Sequence, residues 1–176
     1  YICYEPQKLS IIRHLFKGNK LKRVICFSGK KDKVKEITRQ LKQIGVNCCA
    51  MHSDLSQQER DEVMLKFKAC QCDVLVATDI VARGIDIDDI QMVINYDVPH
   101  DCEDYVHRIG RTARADREGE AVTLVSDKDM YAFGQIEDFL EKDIEKIPLP
   151  GDLGDAPEYS KQRPNSPRHG KRGKCH

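Results

Sequence analysis

A chain of 176 residues is long enough to bury a core of its own and favours one domain plus a short tail. Hydrophobic residues make up 40% and charged residues 33%, a globular composition rather than that of a disordered or bilayer-embedded chain. Lys plus Arg number 29 and Asp plus Glu also 29, so no global field gathers polyanions, and any anion site must come from local clustering.

In chain order, the first helix is predicted near 7–17, in QKLSIIRHLFK. Five short apolar, β-branched runs follow as predicted strands: 23–28, 47–52, 73–78, 91–97 and 121–126. Their near-continuous hydrophobicity fits strands covered on both faces, as in a parallel sheet. Between them lie helix-period segments. The stretch 31–45 carries Val34, Ile37, Leu41 and Ile44 on one stripe and ends at Gly45, a C′ residue. The next helix opens with Ser56 and Glu59 at capping-box spacing. A third spans 101–113 with Asp101 as N-cap, and a fourth spans 127–143 with Ser126 or Asp127 as cap. This alternation predicts an α/β fold: a doubly wound, mainly parallel sheet flanked by helices. From about Pro148 the pattern fails. Residues 151–176 read as a basic, mostly disordered tail, with Lys161, Arg163, Arg168, Lys171, Arg172 and Lys174 and no acid from 159 onward. Such a tail is either a weak, sequence-blind nucleic-acid contact or a solvated linker.

None of the eight cysteines forms a CxxC pair, and several sit inside apolar runs, as small buried hydrophobes do. Cys70 and Cys72 lack zinc-ligand spacing, so no metal site is expected. A reducing, cytoplasmic setting is the expectation. No signal peptide and no membrane-spanning run is evident. The opening Tyr1, where a methionine would start a complete protein, suggests a piece of something longer.

Polar clusters follow several of the predicted strands, where open α/β sheets bind ligands. Ser28 and Gly29 end the first strand. His52 ends the second, followed by a helix start that carries Gln57 and Arg60. Thr78 and Asp79 end the third, followed by Arg83, Gly84 and Asp86 in a predicted loop. A hydroxyl, an arginine and a glycine can grip a sugar–phosphate backbone, and a carboxylate can accept from a ribose hydroxyl. Asp79 and Asp86 could equally cap turns or pair with nearby arginines. The fourth cluster is HRIGRTAR, 107–114. On a helical wheel His107, Gly110, Arg111 and Arg114 share one arc. Tyr105, Val106, Ile109 and Ala113 oppose it, and Arg108 lies between. Guanidinium forks match phosphate oxygens, although such a face can also be solvated and laced with salt bridges. The chain has no GxxxxGK[ST] phosphate loop, so its phosphate readers look like half of a composite site.

These motifs resemble one family, the DEAD-box ATP-dependent RNA helicases, across their C-terminal RecA-like domain, here residues 1–150. HRIGRTAR resembles motif VI, usually HRIGRTGR. ATDIVARGIDI resembles motif V, SQQER contains the QxxR of motif IVa, and VICFSGKK occupies the place of motif IV. The segment VINYDVPHDCEDYVHRIGRTAR is most similar to bacterial RhlE-like members. The resemblance implies that Arg111 and Arg114 are arginine fingers, with His107 and Arg108 coupling the ATP site to the opposite domain. Gly84 and Asp86 would meet the nucleotide. Ser28, Gly29, Gln57, Arg60, Thr78, Asp79 and Arg83 would line the RNA backbone. ATP and Mg2+ would be held mainly by an N-terminal RecA-like domain of the same chain, which carries the phosphate loop. The implied partners are RNA and that domain, with no membrane and a monomeric state. Two departures stand out: Ala113 replaces the second glycine of motif VI, and Ser53 replaces the glycine of the common HGD segment. The competing reading is a non-catalytic RNA-binding or protein-docking module. An isolated Rossmann-like metabolite binder has no dinucleotide glycine fingerprint to support it.

Overall fold

The computed structural model describes residues 1–18, 20–78, 90–110 and 119–161. Five strands build one sheet: β2 (Val24–Phe27), β3 (Cys48–Met51), β4 (Val74–Ala77), β5 (Met92–Asn95) and β6 (Glu120–Thr123). Their spatial order is β3-β4-β2-β5-β6, and every pairing is parallel. β2, β4 and β5 are buried at all four positions, which is why their sequences do not alternate. A short β1 (Ile2–Cys3) pairs in parallel with β7 (Val125–Ser126), which continues from β6 after Leu124.

Among the described residues the α-helices are α1 (Lys8–Phe16), α2 (Lys31–Gln43), α3 (Gln57–Lys68), α4 (Cys102–Ile109) and α5 (Met130–Leu140). Ile11 and Ile12 of α1 and Val34, Ile37 and Leu41 of α2 pack on one face of the sheet, against Val24, Cys26, Val74, Val76 and Ile94. Phe67 of α3 packs on the other face, against Ile25, Phe27, Leu75 and Val93. Alternate residues along each strand serve the two layers. A third cluster joins α4 and α5 to β1 and β7 through Ile2, Tyr105, Val125, Met130, Phe133 and Ile136.

Local signals hold well. Gly45 has φ 84°, the left-handed conformation expected of a C′ residue. Ser56 and Glu59 form a reciprocal capping box, with the Glu59 N–H donating to Ser56 Oγ at 3.2 Å. Asp101 caps α4, its carboxylate accepting from the Glu103 N–H at 2.9 Å. Four details differ from expectation. Ile44 lies past the end of α2 and is 42% exposed. α5 starts at Met130, and Ser126 Oγ donates to Asp129 Oδ2 at 3.1 Å instead of capping a helix at 127. The apolar run 121–126 serves two pairings, β6 with β5 and β7 with β1. α4 ends at Ile109, with Gly110 as C-cap. Of the expected helix 101–113, Gly110 is the C-cap, and residues 111–113 lie outside the described residues.

Cys3, Cys26, Cys48 and Cys72 are buried, and the seven described cysteines are free thiols. Burial pushes the thiols of Cys3 and Cys48 up to about 11 and that of Cys26 up to about 12. Among the described residues no helix is long and apolar enough to cross a membrane.

Past the expected boundary at 150, residues 151–161 lie against the domain. A 3-10 turn spans Gly151–Leu153, and Gln7 Nε2 donates to the carbonyls of Leu153 and Asp155 at 2.9 and 3.0 Å. The buried Glu137 of α5 accepts from the Ile144 N–H at 2.8 Å, from Lys146 Nζ at 2.6 Å and from the Tyr159 hydroxyl. Residues 162–176 of the tail lie outside the described residues.

Candidate functional site

Strand register decides what meets at the carboxyl edge. Met51, Ala77, Phe27, Asn95 and Thr123 stand side by side in one row across the sheet. The next row begins with His52, Thr78, Ser28 and Tyr96. The N–H of Ser28 donates to Ala77 O at 3.0 Å and that of Tyr96 to Phe27 O at 2.9 Å, which carries the alignment one residue past the strands. The clusters at Ser28, His52 and Thr78 therefore share one edge, and α4 starts a short turn beyond β5.

The centre of this edge is Asp97, a residue that motif reasoning passes over. Its carboxylate accepts from Ser28 Oγ at 2.8 Å, from the Gly29 N–H at 3.0 Å and from Lys8 Nζ at 3.2 Å. Burial pushes the Asp97 carboxyl up, but Lys8 and the two hydrogen bonds outweigh it and hold it below the usual carboxylate range. The Lys8 side chain is fully buried, 3.0 Å from Glu5, 3.8 Å from Asp129 and 5.1 Å from the centre of the Tyr96 ring. Burial alone would lower its pKa; the surrounding carboxylates, Asp97 foremost, raise it. Ser28 and Gly29 thus spend donors within the fold. A Cβ on Gly29 would stand 4.0 Å from Asp97 Oδ2, an ordinary contact, so packing among the described residues does not demand the glycine.

Arg108 departs from its wheel position between the cationic and apolar faces. It is 4% exposed. Its Nη1 donates to Asn95 Oδ1 at 3.2 Å and to the Asp97 carbonyl at 3.0 Å, and its guanidinium lies 5.2 Å from the centre of the Phe27 ring. Asn95 Nδ2 in turn donates to Thr123 Oγ1 at 3.1 Å. A guanidinium in a protein interior needs acceptors, and Nη1 finds two at the end of β5 while the Phe27 ring at the end of β2 covers the guanidinium face. The signal for it was Asn95, a polar side chain inside an otherwise apolar strand. Val106, expected to face the core, is 37% exposed, whereas Tyr105 is buried as expected. His107 and Gly110 are exposed at the end of α4. A Cβ on Gly110 would press to 3.1 Å from the Val106 carbonyl.

On the far side of the edge, His52 is buried, and its Nδ1 accepts from the Asp54 N–H at 3.3 Å. Burial, then Lys35, pushes its pKa down, so it stays neutral at pH 7. Arg60 Nη2 donates to the Ser53 carbonyl at 3.3 Å, while its buried Nε finds no partner among the described residues. Gln57 is exposed at the first turn of α3, its Nε2 donating to Asp61 Oδ1 at 3.0 Å. Thr78 is 9% exposed at the tip of β4. Asp79, Arg83, Gly84, Asp86, Arg111, Ala113 and Arg114 lie outside the described residues.

The edge therefore offers an arginine with one unfilled donor, the Thr78 hydroxyl and a helix end with basic residues in its last turn. That set suits phosphate oxygens better than it suits acid–base chemistry. Among the described residues no three His, Cys, Asp or Glu side chains converge as metal ligands.

A mainly parallel sheet of this order, with polar groups gathered at its carboxyl edge, places the chain among nucleotide-handling α/β domains. Residues 7–116 match the helicase conserved C-terminal domain family. The chain is 38% identical over 144 residues to the ATP-dependent RNA helicase eIF4A of Kluyveromyces lactis, covering 82% of this chain and 36% of that protein. Among solved structures, the E. coli DEAD-box protein SrmB bound to regulator of ribonuclease activity A superposes with TM-score 0.80 at 36% identity, covering 89% of this chain and 94% of that one. Dbp5 of S. cerevisiae bound to RNA and ADP BeF3 gives TM-score 0.74 at 34% identity, covering 82% and 38%. The chain belongs to the DEAD-box helicases, as their conserved C-terminal, RecA-like domain. It spans about a third of the length of the curated relatives it matches, 36% of the K. lactis protein.

Proposed function

We propose that this domain is half of an ATP-dependent RNA helicase, supplying arginine fingers and part of an RNA-backbone track. The observation that carries the reading is the shared edge: Ser28, His52 and Thr78 stand in one row, and the buried Arg108 ties α4 to the tip of β5 by hydrogen bonds and to Phe27 at the tip of β2 by its ring. The chain leaves α4 at Gly110 and continues directly into Arg111. Arg108 fixes the helix end from which the chain runs on toward Arg111 and Arg114.

In this reading the ATP substrate arrives on an N-terminal RecA-like domain, whose phosphate loop this chain lacks. Arg111 and Arg114 then meet the charge that develops on the transferring phosphoryl group, a contribution of about 10³–10⁵ in rate in well-studied nucleotide hydrolases. Gly84 and Asp86 meet the nucleotide, and His107 faces the opposite domain. Arg108 acts through position, by holding the helix. A magnesium ion accompanying ATP finds no ligand cluster among the described residues. Its ligands would come mainly from the other domain.

RNA would run along Ser28, Gly29, Gln57, Arg60, Thr78, Asp79 and Arg83, its phosphates met by Gln57, Arg60, Thr78 and Arg83, while the Ser28–Gly29 turn, tied to Asp97, shapes the wall and Asp79 accepts from a ribose hydroxyl. The unfilled Nε of Arg60 supports this, because a buried donor without an acceptor is uncommon in a finished site. Binding through phosphates weakens with salt and shows little sequence preference. A backbone bent across two domains cannot stay in a duplex, so strands separate locally. The RhlE-like character of the 93–114 segment favours a bacterial subgroup.

The test is RNA-stimulated ATP hydrolysis by the two-domain protein beside the isolated domain. Turnover that needs both domains and RNA is the expected result. A two-domain protein that binds RNA without hydrolysing ATP would instead make this a binding module.

A further inference from the structure

The sheet ends on β3, whose described partner is β4. In that ladder the odd-numbered residues bond inward: Asn47 O accepts from the Val74 N–H at 3.2 Å, and Met51 O from the Thr78 N–H at 3.3 Å. Both backbone groups of a strand residue in a parallel pair point to the same side, and successive residues alternate. The N–H and C=O of Ala50 therefore point away from β4, and among the described residues they have no partner. Ala50 also lines a shallow groove of about 560 Å³, walled otherwise by Lys35, Thr38, Arg39, Lys42 and Gln43 of α2.

Three cations and no carboxylate line this groove. Lys35 is shared with Asp54 at 2.8 Å, whereas Arg39 and Lys42 are exposed and without an ion pair among the described residues. Edge strands are commonly blunted by lysines on the strand itself. Here the strand is Cys48, Cys49, Ala50 and Met51, all uncharged, and the cations stand on the neighbouring helix at i, i+4 and i+7. That stripe is about 10 Å long. Two same-face side chains of an added strand, about 6.7 Å apart, fall within that length, where long Arg and Lys side chains can reach them.

We propose that the open edge of β3 and the α2 cation stripe form a docking site for an acidic, extended peptide, which adds as a further strand beside Ala50. Backbone pairing supplies the affinity, and acids at alternate positions face Arg39 and Lys42. The proposal is independent of the carboxyl-edge function, since the groove lies on a different margin of the sheet.

The test uses a fluorescent peptide alternating Glu and Val, titrated against the protein by anisotropy. Controls are the same peptide with Lys for Glu, the Glu peptide N-methylated at alternate backbone positions, and a short oligouridylate. Saturable binding of the Glu peptide is expected, weakened about tenfold or more by N-methylation and by the double substitution Arg39→Glu, Lys42→Glu. Hydrogen exchange at the Ala50 amide should slow when the peptide is bound. Equal binding by the N-methylated peptide or by RNA would reduce the groove to a general polyanion surface and overturn the proposal. So would unchanged affinity in the double variant, absence of binding, or self-association of the protein through β3.

Discussion

Asp97 and Lys8 show how much a single ion pair can organise. Lys8 is fully buried against carboxylates from three segments, and its partner Asp97 also holds the Ser28–Gly29 turn. Removing one member of a buried pair strands the other. Lys8→Ala is therefore expected to cost about 3–5 kcal/mol in denaturant unfolding, and Asp97→Asn to cost less because the amide still accepts hydrogen bonds. The pH dependence follows the signs of the shifts. The Asp97 pKa is depressed, so its contribution is present at neutral pH and lost as pH falls through the depressed value. The Lys8 pKa is raised, so its contribution is lost only as pH climbs past the ordinary lysine value of 10.5. Unfolding free energies measured down the acid limb should fall less steeply in Asp97→Asn than in the parent. Neither residue stood out in the sequence, because they lie 89 positions apart and each reads alone as surface charge. Arg108 was visible as chemistry but misplaced on the wheel. Periodicity knows only a helix's own axis, and the pull came from Asn95 on another element.

Elements with local causes were the most legible. The α3 capping box and the Gly45 terminus are written within a few residues, and both are present. Ser56→Ala should cost about 1 kcal/mol, read as a shifted denaturation midpoint with an unchanged slope. β1 was not legible, because two residues carry no period, and its existence depends on β7 lying open beside it. The same holds for the chain beyond 150. Low hydrophobicity and proline content suggested a loose tail, yet residues 144–161 are pinned by Glu137 and Gln7 through hydrogen bonds that composition does not encode. Glu137→Ala should release this strap. Limited trypsin digestion is then expected to cut at Lys146 and Lys161 markedly faster than in the parent, with the sheet core intact. Equal cleavage rates would show that the strap is held by other contacts.

For the molecule as a whole, the fold class followed from near-continuous apolar runs alternating with helices, since only a sheet covered on both faces tolerates such strands. Strand order did not follow. Placing β2 between β4 and β5 depends on crossovers that sequence period cannot express, and that order brings Ser28, Thr78 and Asp97 to one edge. The departures at Ser53 and Ala113 also belong to this scale, because they matter only where the edge meets another body. Ser53 is exposed, and its carbonyl already receives Arg60. Ala113 lies outside the described residues, and the departure there is a single methyl group, so Ala113→Gly is expected to leave RNA-stimulated turnover near the parent value. RNA affinity of the two-domain protein should fall linearly on a log–log salt plot, and Arg60→Ala should make that slope shallower by about one phosphate contact. The claim on which the reading rests is that Arg111 completes an ATP site carried by another domain. RNA-stimulated ATP hydrolysis by Arg111→Ala in the two-domain protein tests it most directly. Loss of turnover with folding and RNA binding retained is the expected result, and turnover close to that of the parent would contradict it.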